Sequence, residues 1–85
     1  MQVDFHNQFR KQYKKLSMKI KDKFNERLIV FKDNPLIPEL HNHALHGKYD
    51  GCRSINVTGD YRAIYEVLDG GVRFLEIDTH SNLYK

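Results

Sequence analysis

The feature that most constrains this chain is a change in the spacing of its apolar residues between its two halves. Up to residue 31 the apolar side chains recur every three or four positions and form two stripes: Phe5, Phe9, Tyr13 and Leu16, then Ile20, Phe24, Leu28 and Phe31. This spacing predicts two amphipathic helices, Phe5–Leu16 and Ser17–Lys32, with the basic residues on the remaining surface. From Cys52 onward apolar and polar residues alternate, which is typical of half-buried β-strands.

The ends of the predicted helices carry suitable boundary residues. Ser17 lies between the two stripes, where its hydroxyl can accept a hydrogen bond from a free amide at the start of the second helix. Asn34 precedes Pro35 and is therefore pushed out of the helical region, which ends the second helix. The three or four residues before Phe5 leave room for a short edge strand.

The second half of the chain predicts three strands joined by two tight turns. The strands are Ser54–Thr58, Tyr61–Leu68 and Val72–Ile77, and Gly59-Asp60 separates the first two. Asp69-Gly70 separates the last two and predicts a type I′ hairpin turn, in which both central residues have positive φ. With both helices on one side of this meander, we expect a single α+β domain, an N-terminal α-helical hairpin packed on a small antiparallel β-sheet.

Between the helices and the strands, the chain from Pro35 to Gly51 is predicted to be an irregular connection that contains three histidines, His41, His43 and His46. Long connections of this kind in compact domains are often functional. Three nearby histidines can suggest a metal, but a structural zinc site needs four ligands, and the chain has neither a cysteine pair nor an H-E-x-x-H helix. We therefore predict no metal site and no cofactor.

The charge of the chain is unevenly distributed. Residues 1–34 carry nine lysines and arginines against four acidic residues, a net charge of +5, whereas residues 35–85 carry five against seven, a net charge of −2. A basic half suits a polyanion such as nucleic acid, or an acidic protein partner. A solvated helix surface explains the same pattern equally well.

Cysteine content and hydropathy indicate where the protein works. Cys52 is the only cysteine, so no internal disulfide can form, and a reducing compartment is indicated. No apolar run approaches the roughly 20 residues that cross a bilayer, and no secretory segment is recognisable. We expect a soluble cytoplasmic protein without a membrane partner.

Three polar residues of the β-rich half suggest a reactive surface. Arg62 alternates out of phase with the apolar positions of its strand, so it belongs on the open face if the apolar positions face the helices. His80 follows the last strand and Asp60 lies in the first turn. Arginine can neutralise charge on a pentacoordinate phosphorus and histidine can move a proton near neutral pH. We predict that the three share one hollow on the uncovered side of the sheet, where a phosphodiester could react.

Each of these residues also has an ordinary structural explanation. Arg62 could pair with Glu66 or Glu76 across the sheet, His80 could simply cap the end of the chain, and Asp60 is a common turn residue. From the residues alone, the functional and structural explanations both stay open.

Longer stretches of the sequence carry a resemblance to a known family. The segments His43–Arg53 (HALHGKYDGCR), Gly59–Tyr65 (GDYRAIY) and Asp78–Tyr84 (DTHSNLY) resemble the RelE/ParE superfamily of bacterial type II toxins, and in particular its YafQ-type mRNA interferases. The resemblance spans the whole domain. It implies a toxin that is neutralised by a cognate antitoxin in a hetero-oligomeric complex. It also implies a metal-independent endoribonuclease that cuts mRNA in the ribosomal decoding site.

The resemblance also implies roles for individual residues. It implies three catalytic residues: His43, Asp60 and His80. It implies five substrate-binding residues: Lys48, Arg53, Tyr61, Arg62 and Tyr84. On this basis His80 would be the general acid, with His43 or Asp60 helping to remove the 2′ proton, or with these roles exchanged. The two arginines would hold the phosphate, and the lysines of the helices would contact ribosomal RNA: Lys11, Lys14, Lys15, Lys19, Lys21 and Lys23.

Two residues depart from the pattern of the YafQ branch. Asn56 stands where that branch places a histidine on the first strand, and it cannot take a proton near neutral pH. Glu76 stands where that branch places an arginine on the last strand, which reverses the charge. These departures keep one alternative open, a binding protein of the same fold with little or no catalysis. A second alternative is a ParE-like inhibitor of DNA gyrase, against which the C-terminal histidine motif argues.

Overall fold

The computed structural model describes residues 1–85, which form three helices and one five-stranded sheet of order β1-β5-β4-β3-β2. The strands and helices, in chain order, are β1 Gln2–Phe5, α1 Asn7–Lys14, α2 Met18–Asp33, β2 His43–Ala44, β3 Cys52–Asn56, β4 Tyr61–Leu68, β5 Gly71–Thr79 and α3 His80–Leu83. The predicted α+β class, with the helical hairpin packed on the sheet, is confirmed. None of the helices is long and apolar enough to cross a membrane.

The helical hairpin forms much as its apolar stripes predict, except that α1 begins later and ends two residues earlier than predicted. The predicted first residue of α1 was wrong, because Phe5 ends β1 and pairs with Phe74. His6 caps α1 instead, and its Nδ1 accepts a hydrogen bond from the amide of Gln8 at 3.0 Å. The predicted cap of α2 is confirmed, since the Ser17 hydroxyl accepts from the amide of Ile20 at 3.3 Å.

The sheet is larger than predicted and is mixed rather than purely antiparallel. Strand β1 runs parallel to β5, and the two-residue β2 extends the opposite edge by pairing antiparallel with β3. The strand β4 has the predicted bounds, whereas β3 lies two residues earlier than expected and β5 extends further at both ends. The short edge strand suggested for the first residues is present as β1, whereas β2 was not predicted, because two residues are too few for an alternation to be recognised.

Two connections between elements differ from expectation. The hairpin between β4 and β5 is present, but only Gly70 has positive φ, at 81°, so the predicted type I′ turn was wrong. The connection after α2 is more regular than predicted, since it contains two short 3₁₀ turns, Pro38–Leu40 and Gly47–Tyr49, besides β2.

The main core lies between the helices and one face of the sheet and is built largely from aromatic rings. Phe31 and Phe74 are fully buried, and Phe24 meets Phe74 edge-on with a centroid distance of 5.5 Å. Such pairs add roughly 0.5–1.5 kcal/mol each beyond the burial of their area. A second, smaller core of Leu45, Tyr49, Ile64 and Leu83 lies on the other face. The face away from α1 and α2 is therefore partly covered, by the connection and by α3.

Candidate functional site

Arg62 lies near the start of β4, on the face of the sheet away from α1 and α2. Its Nε donates a hydrogen bond to the buried Ser54 hydroxyl at 2.6 Å, and its Nη2 donates to the backbone carbonyl of His41 at 3.1 Å. Burial lowers the pKa of Arg62, and the adjacent Tyr84 phenol partly offsets this. Arg62 makes no ion pair, and so it presents a positive charge that is held in place but not neutralised by a carboxylate.

Arg62 does not pair with a glutamate, because both candidate glutamates bind other residues. Glu66 pairs with Arg73 instead, at 3.5 Å. Glu76 accepts hydrogen bonds from Tyr49 at 2.7 Å and from Gln12 at 3.4 Å. Neither carboxylate is within ion-pair distance of Arg62, so the guanidinium is available to an anionic ligand.

His43 lies beside Arg62 because β2 is the neighbour of β3. His43 pairs with Ser54 in that ladder, and residues directly opposite each other share a face of the sheet. The Nδ1 atom of His43 is 2.9 Å from the carbonyl oxygen of His41 and 3.5 Å from Nη2 of Arg62. The imidazole and the guanidinium therefore converge on one backbone carbonyl.

The C-terminal segment folds back over the same face through the single turn of α3. Thr79 caps this turn, because its hydroxyl accepts a hydrogen bond from the amide of Asn82 at 3.2 Å. The ring of His80 lies against the ring of Tyr84 with a centroid distance of 4.7 Å. Since Tyr84 is also next to Arg62, the turn places the terminal imidazole in the neighbourhood of the guanidinium.

Asp60 is joined to this group through the backbone. The amide of His80 donates to the carbonyl of Asp60 at 2.8 Å, and the Asp60 side chain is exposed in the turn before β4. The Thr58 hydroxyl shapes that turn by accepting from the amides of Asp60 and Tyr61, at 3.2 and 3.0 Å. The structure thus brings His43, Arg62, His80 and Tyr84 together, with Asp60 at the rim.

Three other predicted substrate-binding residues lie elsewhere. Arg53 pairs with Tyr65 on the helix-facing side of the sheet, where its Nε donates to Asn42 at 2.8 Å. Tyr61 packs against the main core. Lys48 is exposed in a 3₁₀ turn, and its Nζ is 5.2 Å from the centroid of the ring of Tyr49. The alternation along β3 already contained the signal for Arg53, because it lies two residues before the inward-facing Ile55.

The carboxylate of Glu76 and the phenol of Tyr49 form a partly buried polar pair that the sequence did not reveal. Burial raises the pKa of Tyr49, and its hydrogen bond to Glu76 and the negative charge of that carboxylate raise it further. The Tyr49 ring meets the Tyr84 ring edge-on, with a centroid distance of 6.1 Å. Glu76 therefore supports an aromatic neighbour of the site rather than lying unpaired beside Arg62.

Two further observations concern whether this site could hold a metal ion or lie in a groove. The histidines, cysteine and acidic residues form no group of three that could hold a metal ion. A groove with a volume of about 650 Å³ lies between β1, α1 and α2, on the opposite side of the sheet from Arg62. None of the residues of the polar cluster lines this groove.

Solved structures that are similar to this chain include bacterial toxins. YafQ from E. coli strain BL21(DE3) is 25% identical with a TM-score of 0.83, and the alignment covers 99% of this chain and 98% of that chain. YafQ in the E. coli DinJ–YafQ complex is 26% identical with a TM-score of 0.73, over 99% and 98% of the two chains. A YoeB/ParE toxin from Agrobacterium tumefaciens shares the fold alone, at 18% identity and a TM-score of 0.77 over 94% and 99%.

A match over the whole length of the chain shows the family to which it belongs. The family described as the YafQ bacterial toxin of type II toxin–antitoxin systems has a model that matches residues 1–85, and the chain belongs to this family. None of the curated protein sequences is significantly similar to the chain.

Proposed function

We propose that this toxin is a ribosome-dependent endoribonuclease that cuts mRNA in the decoding site. The observation that supports this most is the un-neutralised Arg62 guanidinium, flanked by the imidazole of His43 and by the His80–Tyr84 pair. A positive charge flanked by two imidazoles, the side chains that most often act as general acids and bases, suits attack on a phosphodiester. Membership of the toxin family fits the same conclusion.

The proposed reaction needs only groups that the chain and the RNA supply. The ribose 2′-hydroxyl attacks the adjacent phosphorus and loses its proton to a base, while the bond to the 5′ oxygen breaks and that oxygen takes a proton from an acid. The products are a 2′,3′-cyclic phosphate and a free 5′-hydroxyl. Arg62 would stabilise the additional negative charge on the phosphoryl oxygens in the transition state.

The positions of the two histidines support the proposed proton-transfer roles. His80 lies on the exposed turn of α3 and is proposed as the acid that protonates the 5′ oxygen. His43 is proposed as the base, because its ring is next to Arg62, whereas Asp60 is connected to the site only through its backbone. The carboxylate of Asp60 would then assist from the rim.

Tyr84 and the basic helices would provide binding rather than chemistry. The half-exposed ring of Tyr84 can stack on an unpaired base of the mRNA. Lys11, Lys14, Lys15 and Lys19 are exposed on or beside the helices and suit contacts with ribosomal RNA phosphates. Since the E. coli YafQ structure includes a complex with DinJ, we also propose a cognate antitoxin for this chain.

The test is cleavage of an mRNA on purified ribosomes whose decoding site is vacant, with products mapped by primer extension. We expect His80→Ala to slow cleavage by roughly 10²–10⁴-fold, the usual contribution of general acid–base catalysis, and to relieve growth arrest. His46→Ala is the matched control, because this histidine is exposed in the connection and makes no side-chain cap hydrogen bond. Full toxicity of His80→Ala, or DNA breaks without mRNA cleavage, would overturn the proposal.

A further inference from the structure

His41 is the only non-glycine residue of the chain with positive φ, and it lies next to the proposed site. Its φ of 45° and ψ of 46° place it in the left-handed region, where the residue ends the 3₁₀ turn Pro38–Leu40. Such a conformation persists only when the surrounding structure holds it, and it is concentrated at functional sites. The His41 side chain is exposed, so the feature that matters is its backbone.

The conformation is held from both sides by hydrogen bonds. Before it, the amide of His41 donates to the carbonyl of Pro38 at 3.1 Å. After it, the Asn42 side chain donates to the Tyr65 hydroxyl at 2.7 Å and to the Pro35 carbonyl at 2.9 Å, and accepts from Nε of Arg53 at 2.8 Å. Asn42 is thus anchored to the helix-facing side of the sheet, while the carbonyl of His41 reaches Arg62 and His43 on the other face.

That carbonyl determines the proton position on His43. A carbonyl oxygen can only accept hydrogen bonds, so the contact of 2.9 Å requires the proton to be on Nδ1 of His43. The contact of 3.5 Å between Nδ1 and Nη2 of Arg62 then joins two donors and is not a hydrogen bond. In the neutral ring the lone pair is consequently on Nε2, which is the atom left free to act as a base.

We propose that His41 is a positioning residue whose left-handed backbone directs one carbonyl oxygen to both Arg62 and His43. This oxygen orients the guanidinium and fixes the Nδ1–H tautomer of the base, and this use of it rests on the proposed function. The inference gives Arg53 and Asn42 a role as well, since they hold the carbonyl in place from the far side of the sheet.

The proposal is tested by two substitutions at one position. His41→Gly keeps the left-handed conformation accessible, whereas His41→Val strongly disfavours it, because a β-branched residue with positive φ is an outlier. Neither variant retains the imidazole, so any difference between them reports on the backbone. In the single-turnover cleavage assay we expect the valine variant to be at least about tenfold slower than the glycine variant. Equal rates for the two would overturn the proposal.

A second measurement is independent of catalysis and separates the two proposals. Nitrogen NMR of the imidazole rings in the free toxin should show His43 as the Nδ1–H tautomer in the wild type and in His41→Gly, but not in His41→Val. A wild-type His43 protonated on Nε2 instead would overturn the positioning role even if cleavage is observed. Absence of cleavage by the wild type, with the Nδ1–H tautomer present, would count against the nuclease and leave the geometry supported.

A third variant keeps the test conclusive if the valine variant does not fold. Asn42→Ala removes the anchoring hydrogen bonds without changing His41. We expect slower cleavage and loss of the fixed tautomer in this variant. A wild-type rate and a wild-type tautomer in Asn42→Ala would overturn the proposal.

Discussion

At the scale of single residues, the charged side chains in and around the site differ in the partners that they bind. Arg62 is held by a hydroxyl and a carbonyl, which are neutral acceptors, so its positive charge stays available. Arg73 on the next strand is instead paired with Glu66. Glu76, where an arginine was expected from the family pattern, directs its charge to the phenol of Tyr49. The reversed charge thus has a structural use, and it does not form an ion pair with Arg62.

The Tyr49–Glu76 pair makes a prediction about alkaline stability. The pKa of Tyr49 is raised in the folded protein, whereas in the unfolded chain the phenol ionises near its ordinary value of about 10. Above that pH the unfolded state binds fewer protons than the folded state, so the free energy of unfolding must fall as pH rises. The contribution of the phenol is fully present below pH 10 and is lost above it.

The measurement compares the wild type with Tyr49→Phe by urea denaturation from pH 8 to pH 11. At pH 8 we expect the wild type to be more stable by about 1 kcal/mol, because the variant leaves the partly buried Glu76 oxygen without its donor. Above pH 10 the difference should shrink by up to about 1.4 kcal/mol per pH unit. A difference that stays constant across the range would contradict the assigned cause.

At the scale of elements, the added parallel strand β1 depends on one close approach. A Cβ atom on Gly71 would collide with the backbone carbonyl of Gln2, to which Gly71 is paired in the β1–β5 ladder. Gly71 lies at the start of β5, so this approach determines whether the first residues of the chain can join the sheet. Two short elements, β1 and α3, thus extend a framework that the longer elements form.

Substitution of this glycine is therefore expected to weaken the edge of the sheet. We expect Gly71→Ala to lower the free energy of unfolding by roughly 1–3 kcal/mol, the usual cost of overpacking, and to speed hydrogen exchange of the β1 amides. Gly59→Ala is the matched control, since nothing lies within 4 Å of a Cβ at Gly59. Equal free energies of unfolding for the two variants would show that β1 shifts to accommodate the added methyl group without loss of stability.

At the scale of the whole molecule, the sheet separates two surfaces with different uses. The aromatic core and the basic helices are on one side, and Arg62 with its neighbours is on the other. Among the lysines of the helices, Lys21 lies over the ring of Tyr13 and Lys23 pairs with Glu26, so these two are already engaged within the chain. The other lysines that are expected to contact ribosomal RNA are exposed and free to bind a polyanion: Lys11, Lys14, Lys15 and Lys19.

This division predicts a salt-dependent affinity for the ribosome. We expect Lys14→Gln with Lys15→Gln to weaken binding and to make its dependence on salt shallower, by about 0.7–0.9 in the logarithmic slope for each phosphate that is no longer neutralised. Lys32→Gln, an exposed lysine in the last turn of α2, is the control. Ribosome binding measured between about 50 and 200 mM salt checks this expectation. A salt slope equal to that of the wild type would show that the helices are not part of the interface.

The sequence by itself determined those structural features that depend only on residues a few positions apart in the chain. The helical stripes, the Ser17 cap, the stop of α2 before Asn34 and the bounds of β4 all follow from local spacing and local sterics. The α+β class follows from these elements, because both apolar faces must be buried against each other. Recognition of the family motifs added the candidate residues, but it did not separate those on one face of the sheet from those on the other.

Only the tertiary structure decided which side chains meet. Strand β1 pairs with residues 71–74, and Gln12 donates to Glu76, so these interactions join parts of the chain that no local pattern connects. The same holds for the carbonyl of His41, which reaches Arg62 only because β2, β3 and β4 are adjacent and in register. The physical reason is that a strand pattern specifies which residues share a face, whereas strand order and register, which place faces beside each other, are set by burial of the whole core.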